Sequence, residues 1–355
     1  MRTGLGVANP PNGDKNPRMS LFDVQGPLPN AIFGATVRLK AGTGARAFAE
    51  ALEAEPDALP VALAKHGGLL LVQELNEIND DPALLVRLSR VFGPEVEDYR
   101  HTMMELGSIH TKVPEILLVS NQAPVNKMPP PLPEPPVAVD GMLPVQYPHR
   151  VGWHTDQSYR RPPPDISLFY AASPVAKDQG QTLFANCDLA YEALPAALKA
   201  RVETLVGLHA KPGTGRSRRA ALVGGKAPVV APHERSQPQP VVRHHPVTGK
   251  PSLYLCEGGQ MDWFDGPFVG MEPGPHGDGA KLVDELMSHI TQRKFVYAHH
   301  WEQGDMLIWD NRCLVHAATW YEPQEKRMMW RTTVHGNPGA QYAGEAKSWI
   351  PAAAE

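Results

Sequence analysis

Cysteine is scarce in this chain. Cys187, Cys256 and Cys313 are the only three in 355 residues. They are odd in number, far apart and form no Cys-x-x-Cys pair, which argues against a disulfide framework or a zinc knuckle. Three reduced core thiols in a reducing cytoplasm are the expectation. No apolar run approaches the roughly 18 residues of a membrane span. The first thirty residues lack the apolar core of a secretory signal. Positive charge is not in excess either: 34 Lys and Arg face 38 Asp and Glu, for a net charge of −4. That balance argues against nucleic acid as the main partner, while leaving room for a locally basic pocket that takes a small anion. No internal repeat is visible.

Proline, by contrast, is abundant. The 37 prolines are about twice the usual ~5% share. They disfavour a helical bundle and suit short strands joined by long loops. Residues 1–30, rich in Gly, Pro and Asn, read as an irregular arm, and residues 341–355 as a tail. Between them, 31–340 read as one domain, with no convincing internal boundary. Helical spacing predicts helices over Ala45–Ala54, Pro60–Lys65, Asp81–Val91 (capped by Asp80 or Asp81) and Gly277–Gln292. Asp188 is expected to cap another helix, and one more follows Pro195. Strands are expected at Leu69–Val72, Ile116–Val119, Asp165–Ala172, Thr182–Ala185, Phe295–Ala298, Met306–Trp309 and Met328–His335. Val247–Lys250 reads as a hairpin turn. This pattern points to an all-β sandwich or barrel with helices packed outside.

Two long segments stay irregular on this reading. Residues 122–149 carry a proline-rich stretch from Met128 to Pro136, readable as a rim or lid, or as a surface excursion or subunit contact. Residues 211–242 carry Lys211, Arg216, Arg218, Arg219, Lys226 and Arg235. They read as a solvated loop or as a mobile basic lid that recruits an anion.

The chemistry concentrates at Gly152-Trp153-His154-Thr155-Asp156. In extended chain, His154 and Asp156 point the same way. One imidazole and one carboxylate side by side need a third ligand to make a two-histidine, one-carboxylate site, which leaves positions open on a divalent iron. Alone, His-x-Asp is a common, weak pattern that is more often a pair of hydrogen-bonded loop residues than a metal site. Among fifteen histidines, His316 is the candidate third ligand, because it follows a buried strand and a polar bend, at a barrel mouth. His244, His245, His299 and His300 sit in doublets near strand ends and read as hydrogen-bonded structural residues.

The last strand is the most informative. Arg327, Met329, Arg331 and Thr333 share one face, and Met328, Trp330 and Thr332 the other. If the Trp330 face lies under helices, both arginines point inward, about 13 Å apart along the strand. Buried guanidinium groups need partners. Those partners are either protein carboxylates or a small anion held bidentately. A dicarboxylic keto acid, with iron, Asp156 and one arginine, leaves such a site near neutral.

These motifs resemble the TauD/TfdA family, the iron(II)- and 2-oxoglutarate-dependent dioxygenases typified by taurine dioxygenase and 2,4-dichlorophenoxyacetate dioxygenase. The resemblance runs from about Ala35 to Gly336. It is densest at Trp153–Tyr159, Gln181–Ala185, Gly304–His316 and Arg327–Val334, and eleven positions separate His316 from Arg327, as in the family. It implies a double-stranded β-helix, or jelly roll, with flanking helices. It implies that His154, Asp156 and His316 bind Fe(II), and that Arg327 with Thr182 binds 2-oxoglutarate. Arg331 matches an arginine used near the substrate anion or the cosubstrate. Tyr159 and Arg150 are candidates for the substrate end of the pocket. The implied reaction uses O₂, releases succinate and CO₂, and hydroxylates a small, anionic organic substrate. The segments around Phe295–His299 and Trp309–Cys313 look nearer to the aryloxyalkanoate branch than to the sulfonate branch. Gln179-Gly180-Gln181-Thr182 departs from the Gly-Gly-Asp/Asn-Thr often found in the family, but keeps the threonine. The competing readings are a zinc hydrolase on the same triad, with no use for Arg327 or Thr182, and a non-catalytic jelly-roll module binding a metal or anion. The arm and the proline-rich segment make a homo-oligomer the expectation.

Overall fold

The computed structural model describes residues 21–102, 106–132, 145–176 and 178–335. In chain order the strands are β1 (Phe22–Gln25), β2 (Ala35–Leu39), β3 (Leu69–Val72), β4 (Leu117–Ser120), β5 (Ile166–Ser173), β6 (Thr182–Asn186), β7 (Val206–His209), β8 (Gln237–Pro240), β9 (Val242–His244), β10 (Pro251–Leu253), β11 (Val296–His299), β12 (Met306–Asp310), β13 (Leu314–Ala318) and β14 (Met328–Val334). The helices are α1 (Ala45–Ala54), α2 (Ala58–Lys65), α3 (Ala83–Arg90), α4 (Cys187–Glu192), α5 (Ala196–Val202), α6 (Arg218–Leu222) and α7 (Asp278–Ile290). None is long and apolar enough to cross a membrane among the described residues.

The architecture is a jelly roll. A seven-stranded sheet in the order β1-β2-β3-β12-β5-β14-β4 faces a three-stranded sheet in the order β11-β6-β13. Strand alternation decides what fills the space between them. Leu71, Phe169, Leu307, Trp309 and Met329 from the large sheet meet Phe184, Tyr297 and Leu314 from the small one. Phe184 and Trp309 touch edge to face at 5.4 Å. The opposite face of the large sheet, with Leu70, Leu168, Tyr170, Ile308 and Trp330, packs under Phe48, Leu52, Leu85 and Leu88 of α1 and α3. Trp330 therefore lies on the helix side and Met329 inside, as the alternation in β14 requires. The small sheet turns Leu183, Ala185, Val296 and Val315 toward α4, α5 and α7.

Several expectations need correction. Phe22–Gln25, placed in the irregular arm, form an edge strand paired with β2, because the Phe22 ring packs on Phe48 at 5.3 Å. Residues 1–20, 133–144 and the tail 341–355 lie outside the described residues. Neither expected aspartate cap forms. The N-cap of α3 is Pro82, without a side-chain cap, since Asp81 is taken by Arg46 at 2.8 Å. In α4 the cap is Asn186, which accepts from the Leu189 amide. His316 lies within a strand of its own, β13, rather than beyond the end of one.

The stretch 211–242 is not a loose basic lid. It contains α6 and β8, and β8 pairs with β7. Arg216 is buried against Asp262 at 2.7 Å and Asp265 at 2.6 Å. Arg218 grips Asp284 through two hydrogen bonds. Its buried cations are spent on the protein's own acids, while Arg219, Lys226 and Arg235 stay exposed.

One buried charge cluster ties the β9–β10 hairpin to the end of β12. His245 Nε2 donates to Asp310 Oδ2 at 2.9 Å, and Arg312 donates to both Asp310 oxygens. Although burial pushes the Asp310 carboxyl up, Arg312 and His245 outweigh it and hold the group well below the usual carboxylate range. A folded-state pKa below the unfolded one contributes stability above the unfolded value, near ~4, which is lost as pH falls through the folded value. Asp310→Asn is therefore expected to cost about 3–5 kcal/mol at neutral pH. The cost should shrink in urea titrations run progressively below about pH 4; a cost independent of pH would exclude this role for the pair.

Candidate active site

The site begins with the chain entering residue 154. Trp153 is fully buried and its carbonyl accepts from the Glu257 amide, while the Glu257 carboxylate accepts from the Gly152 amide at 2.6 Å. So held, His154 bridges His316 of β13 through both backbone amides, at 2.9 and 2.7 Å. The rings lie 4.2 Å apart. The carbonyl of Gly152 can only accept, so the 2.6 Å contact puts the proton of His154 on Nδ1 and leaves the Nε2 lone pair aimed inward. Burial lowers the pKa of His154 and takes His316 down to about 3. Both imidazoles are neutral at neutral pH, as a metal ligand must be.

Asp156 completes the cluster. Its Oδ1 lies 3.9 Å from Nε2 of each histidine, and the three ligand atoms fall within 4.8 Å of one another. Two lone-pair nitrogens and a carboxylate oxygen in this arrangement fit one divalent cation. The carboxylate is oriented from behind. Ser167 donates to Oδ2 at 2.8 Å, Asn311 donates to Ser167, and Trp309 holds the Asn311 carbonyl oxygen. Thr155 donates to the Asn311 backbone. This support runs through β5 and β12. Sequence motifs touched Asn311 and Trp309 only as neighbours of His316.

The two arginines of β14 have different fates. Arg331 donates from Nη1 to Asp156 Oδ1 at 2.6 Å, the oxygen that faces both histidines. Burial works against the Asp156 charge, but Arg331 wins and lowers the carboxyl to about 2. Arg331 is thus paired with a protein acid, one of the two fates left open for it. Arg327 is not. It is 5% exposed, its Nε has no hydrogen-bond partner, and no carboxylate faces it among the described residues. Burial lowers its pKa to about 10. Its guanidinium lies over Tyr321 and Phe169 at 5.5 and 5.8 Å.

Phe169 also touches Trp301 at 5.4 Å, and Trp301 donates its indole N–H to Thr182 Oγ1 at 3.0 Å. An indole is only a donor, so the Thr182 hydroxyl proton remains available for an acceptor. The departing Gln179-Gly180-Gln181 segment ties loops together. Gln181 accepts from Thr319, and Gln179 bonds Glu322 and Glu325.

Tyr159 is half-buried, and its hydroxyl feels Asp156 and Arg331, after burial and Arg160 and Glu97. Lys127, which motif reading missed because it stands alone in the proline-rich segment, is an exposed residue whose amine lies near enough to feel Arg331, Asp156 and Arg327. Burial first, then Arg331, lower its pKa, and it acts on both histidines. Arg150 is buried four residues before His154.

The alternative histidines are accounted for. His299 bonds Tyr297 and Asp305. His245 accepts two backbone amides at Nδ1 and donates to Asp310 through Nε2. Although His245, Asp310 and Cys313 lie close together, that imidazole has no lone pair left for a metal, and burial raises the Cys313 thiol. His244 and His300 are exposed. A cavity of about 610 Å³ lies elsewhere, lined by residues such as Phe33, His66 and Asp188, and shares no residue with the cluster.

Comparison with known proteins places this geometry. The family model described as "Taurine catabolism dioxygenase TauD, TfdA family" matches residues 26–333. The (S)-phenoxypropionate/alpha-ketoglutarate-dioxygenase of Sphingobium herbicidovorans is 34% identical over 198 residues, covering 54% of this chain and 65% of that protein. The alpha-ketoglutarate-dependent 2,4-dichlorophenoxyacetate dioxygenase of Cupriavidus pinatubonensis is 33% identical over 183 residues, covering 51% and 58%. The chain thus spans less than two thirds of the length of these relatives. Among solved structures, AAD-2 in complex with Mn(II) and N-oxalylglycine superposes with a TM-score of 0.61 at 24% identity, covering 89% of this chain and 98% of that one. A taurine dioxygenase from Burkholderia xenovorans gives 0.60 at 22%, covering 92% and 93%. With its family match reaching from β2 through β14 and its fold shared with these dioxygenases, the chain belongs to the TauD/TfdA family.

Proposed function

We propose that the protein is an Fe(II)- and 2-oxoglutarate-dependent dioxygenase that hydroxylates a small anionic organic acid. The observation that carries this reading is Arg327. A buried guanidinium without a carboxylate is costly, and a ligand carboxylate offsets that cost through a bidentate, charge-assisted contact. His154, Asp156 and His316 are the proposed iron ligands. Bound there, iron(II) and 2-oxoglutarate supply the oxidising chemistry: O₂ is consumed, the cosubstrate becomes succinate and CO₂, and a substrate C–H becomes C–OH.

The chain's own residues do the positioning. Gly152 fixes the tautomer of His154, and Ser167 and Asn311 orient Asp156. Arg327, with the free proton of Thr182, takes the far carboxylate of the cosubstrate. Arg331 neutralises Asp156 and keeps it ionised. Lys127 and Tyr159 both feel Asp156 and Arg331, and the positive charge of Lys127 there favours an anionic substrate. Relatives named for phenoxypropionate and 2,4-dichlorophenoxyacetate support that class. The three free, buried cysteines are in keeping with a reducing cytoplasm. A zinc hydrolase would need a general base, yet Asp156 is the one carboxylate of the cluster, and it is already engaged by Arg331 and Ser167.

Anaerobic addition of iron(II) and 2-oxoglutarate should give a visible charge-transfer band. His154→Ala should abolish it and His300→Ala should leave it intact; a colourless wild-type complex would sink the dioxygenase reading. Arg327→Gln should raise the dissociation constant for 2-oxoglutarate about 10- to 100-fold, as expected for a lost charge-assisted contact. Metal binding, followed separately by calorimetry, should change little. Unaltered cosubstrate affinity in that variant would remove Arg327 from the role.

A further inference from the structure

Several buried or half-buried arginines of this protein are matched by an acid. Arg160 pairs with Glu97, Arg216 with Asp262, Arg312 with Asp310 and Arg331 with Asp156. Arg327 is an exception, reserved above for the cosubstrate. Arg150 is a second. It is 3% exposed, and its Nε and Nη2 have no hydrogen-bond partner among the described residues. No acid offsets its burial, which lowers its pKa to about 10.

Arg150 lines a cavity of about 140 Å³ together with Pro130, Leu132, Pro148, Thr319 and Trp320. Ala318 lines it too. In β13, Ala318 shares a face with His316, two residues and about 7 Å away along the strand. One wall of the cavity therefore lies two residues along β13 from His316, while the cluster side chains themselves do not line it. Its size is that of a head group carrying a short chain or a single small ring. Its walls are largely proline, leucine, valine and indole, with His149 and Thr319 as the polar groups beside Arg150, so Arg150 is the one arginine or lysine that a charge entering it meets. Thr319 is itself pinned, donating to Gln181 beside Thr182.

We infer that this cavity is the subsite for the acidic head of the primary substrate, with Arg150 as the group that reads it. The inference rests on the dioxygenase reading and deepens it. It commits the substrate to an anion whose oxidisable C–H lies within a few bonds of the charged head, because the head is held against a wall two residues along β13 from His316. It also separates two acid-binding duties: Arg327 holds the cosubstrate carboxylate and Arg150 that of the substrate. The described part of the proline-rich segment, through Pro130 and Leu132, forms the wall of the subsite.

The test uses the full chain loaded anaerobically with iron(II) and 2-oxoglutarate. The probes are 2,4-dichlorophenoxyacetate, (S)-2-phenoxypropionate and hexyl sulfate, with 2,4-dichlorophenoxyacetamide as the neutral control. Binding is followed by calorimetry and by the fluorescence of Trp320, with Trp320→Phe to identify its signal. At least one anionic probe should bind, and the amide should bind far more weakly. Arg150→Gln should weaken the anion about 10- to 100-fold, with Arg150→Lys recovering part of the loss. The amide affinity should barely move in either variant. The inference is overturned if no anionic probe binds, if acid and amide bind alike, or if Arg150→Gln and wild type bind the acid equally. It is overturned too if Arg150→Gln loses 2-oxoglutarate instead, which would assign Arg150 to the cosubstrate. A wild-type protein that takes up no 2-oxoglutarate at all would defeat the underlying dioxygenase reading, a result distinct from each of these.

Discussion

A carboxylate sealed inside an apolar sandwich sets the terms for the rest of this structure. Asp156 is 2% exposed, and a buried anion is tolerated only when it is paired and hydrogen-bonded. Arg331 supplies the countercharge, Ser167 donates to the carboxylate, and the Asp156 backbone amide donates to Asn311 Oδ1. Each partner comes from a different strand or turn of the large sheet, so the sheet must close before the carboxylate can be accommodated. The histidine–histidine bridge then brings the small sheet to the same point. Fold and site share one set of constraints.

That arrangement also explains how the cluster is kept ready. Both histidines are held neutral by burial, while the carboxylate is held charged by Arg331. These are opposite demands, met within 4 Å, because imidazole loses by desolvation what Asp156 regains from a guanidinium. Arg331 sits close enough to Asp156 Oδ1 to share it with any cation between the histidines. Arg331 is spent on Asp156, and the cations left without an acid, Arg327, Lys127 and Arg150, carry more charge than one dicarboxylate cancels. That surplus is the physical basis for reading the second ligand as an anion.

The loops divide into two kinds on the same criterion. In residues 211–242, Arg216 and Arg218 are neutralised by Asp262 and Asp284 and serve to fasten α6 onto the body. Near the proline-rich segment, Arg150 has no such acid. Sequence composition treats these arginines alike. Only the location of their partners, tens of residues away, distinguishes a structural clasp from a cation left for a guest.

Local patterns were enough for the jelly-roll strands β3, β5, β6, β12 and β14, since their apolar runs and alternation are short-range signals, and for the inward face of Arg327. The His-x-Asp motif and its distal histidine were legible as residue types at a spacing. Other features depend on contacts between remote parts of the chain. β1 exists because Phe22 finds Phe48, and β13 because it pairs with β6, which sets His316 beside His154. The caps fall to Pro82 and Asn186, since Asp81 is drawn to Arg46. Tertiary structure alone decided which arginine meets Asp156 and which remain unpaired, because pairing energy depends on distance and desolvation, and neither is written in the order of residues along a strand.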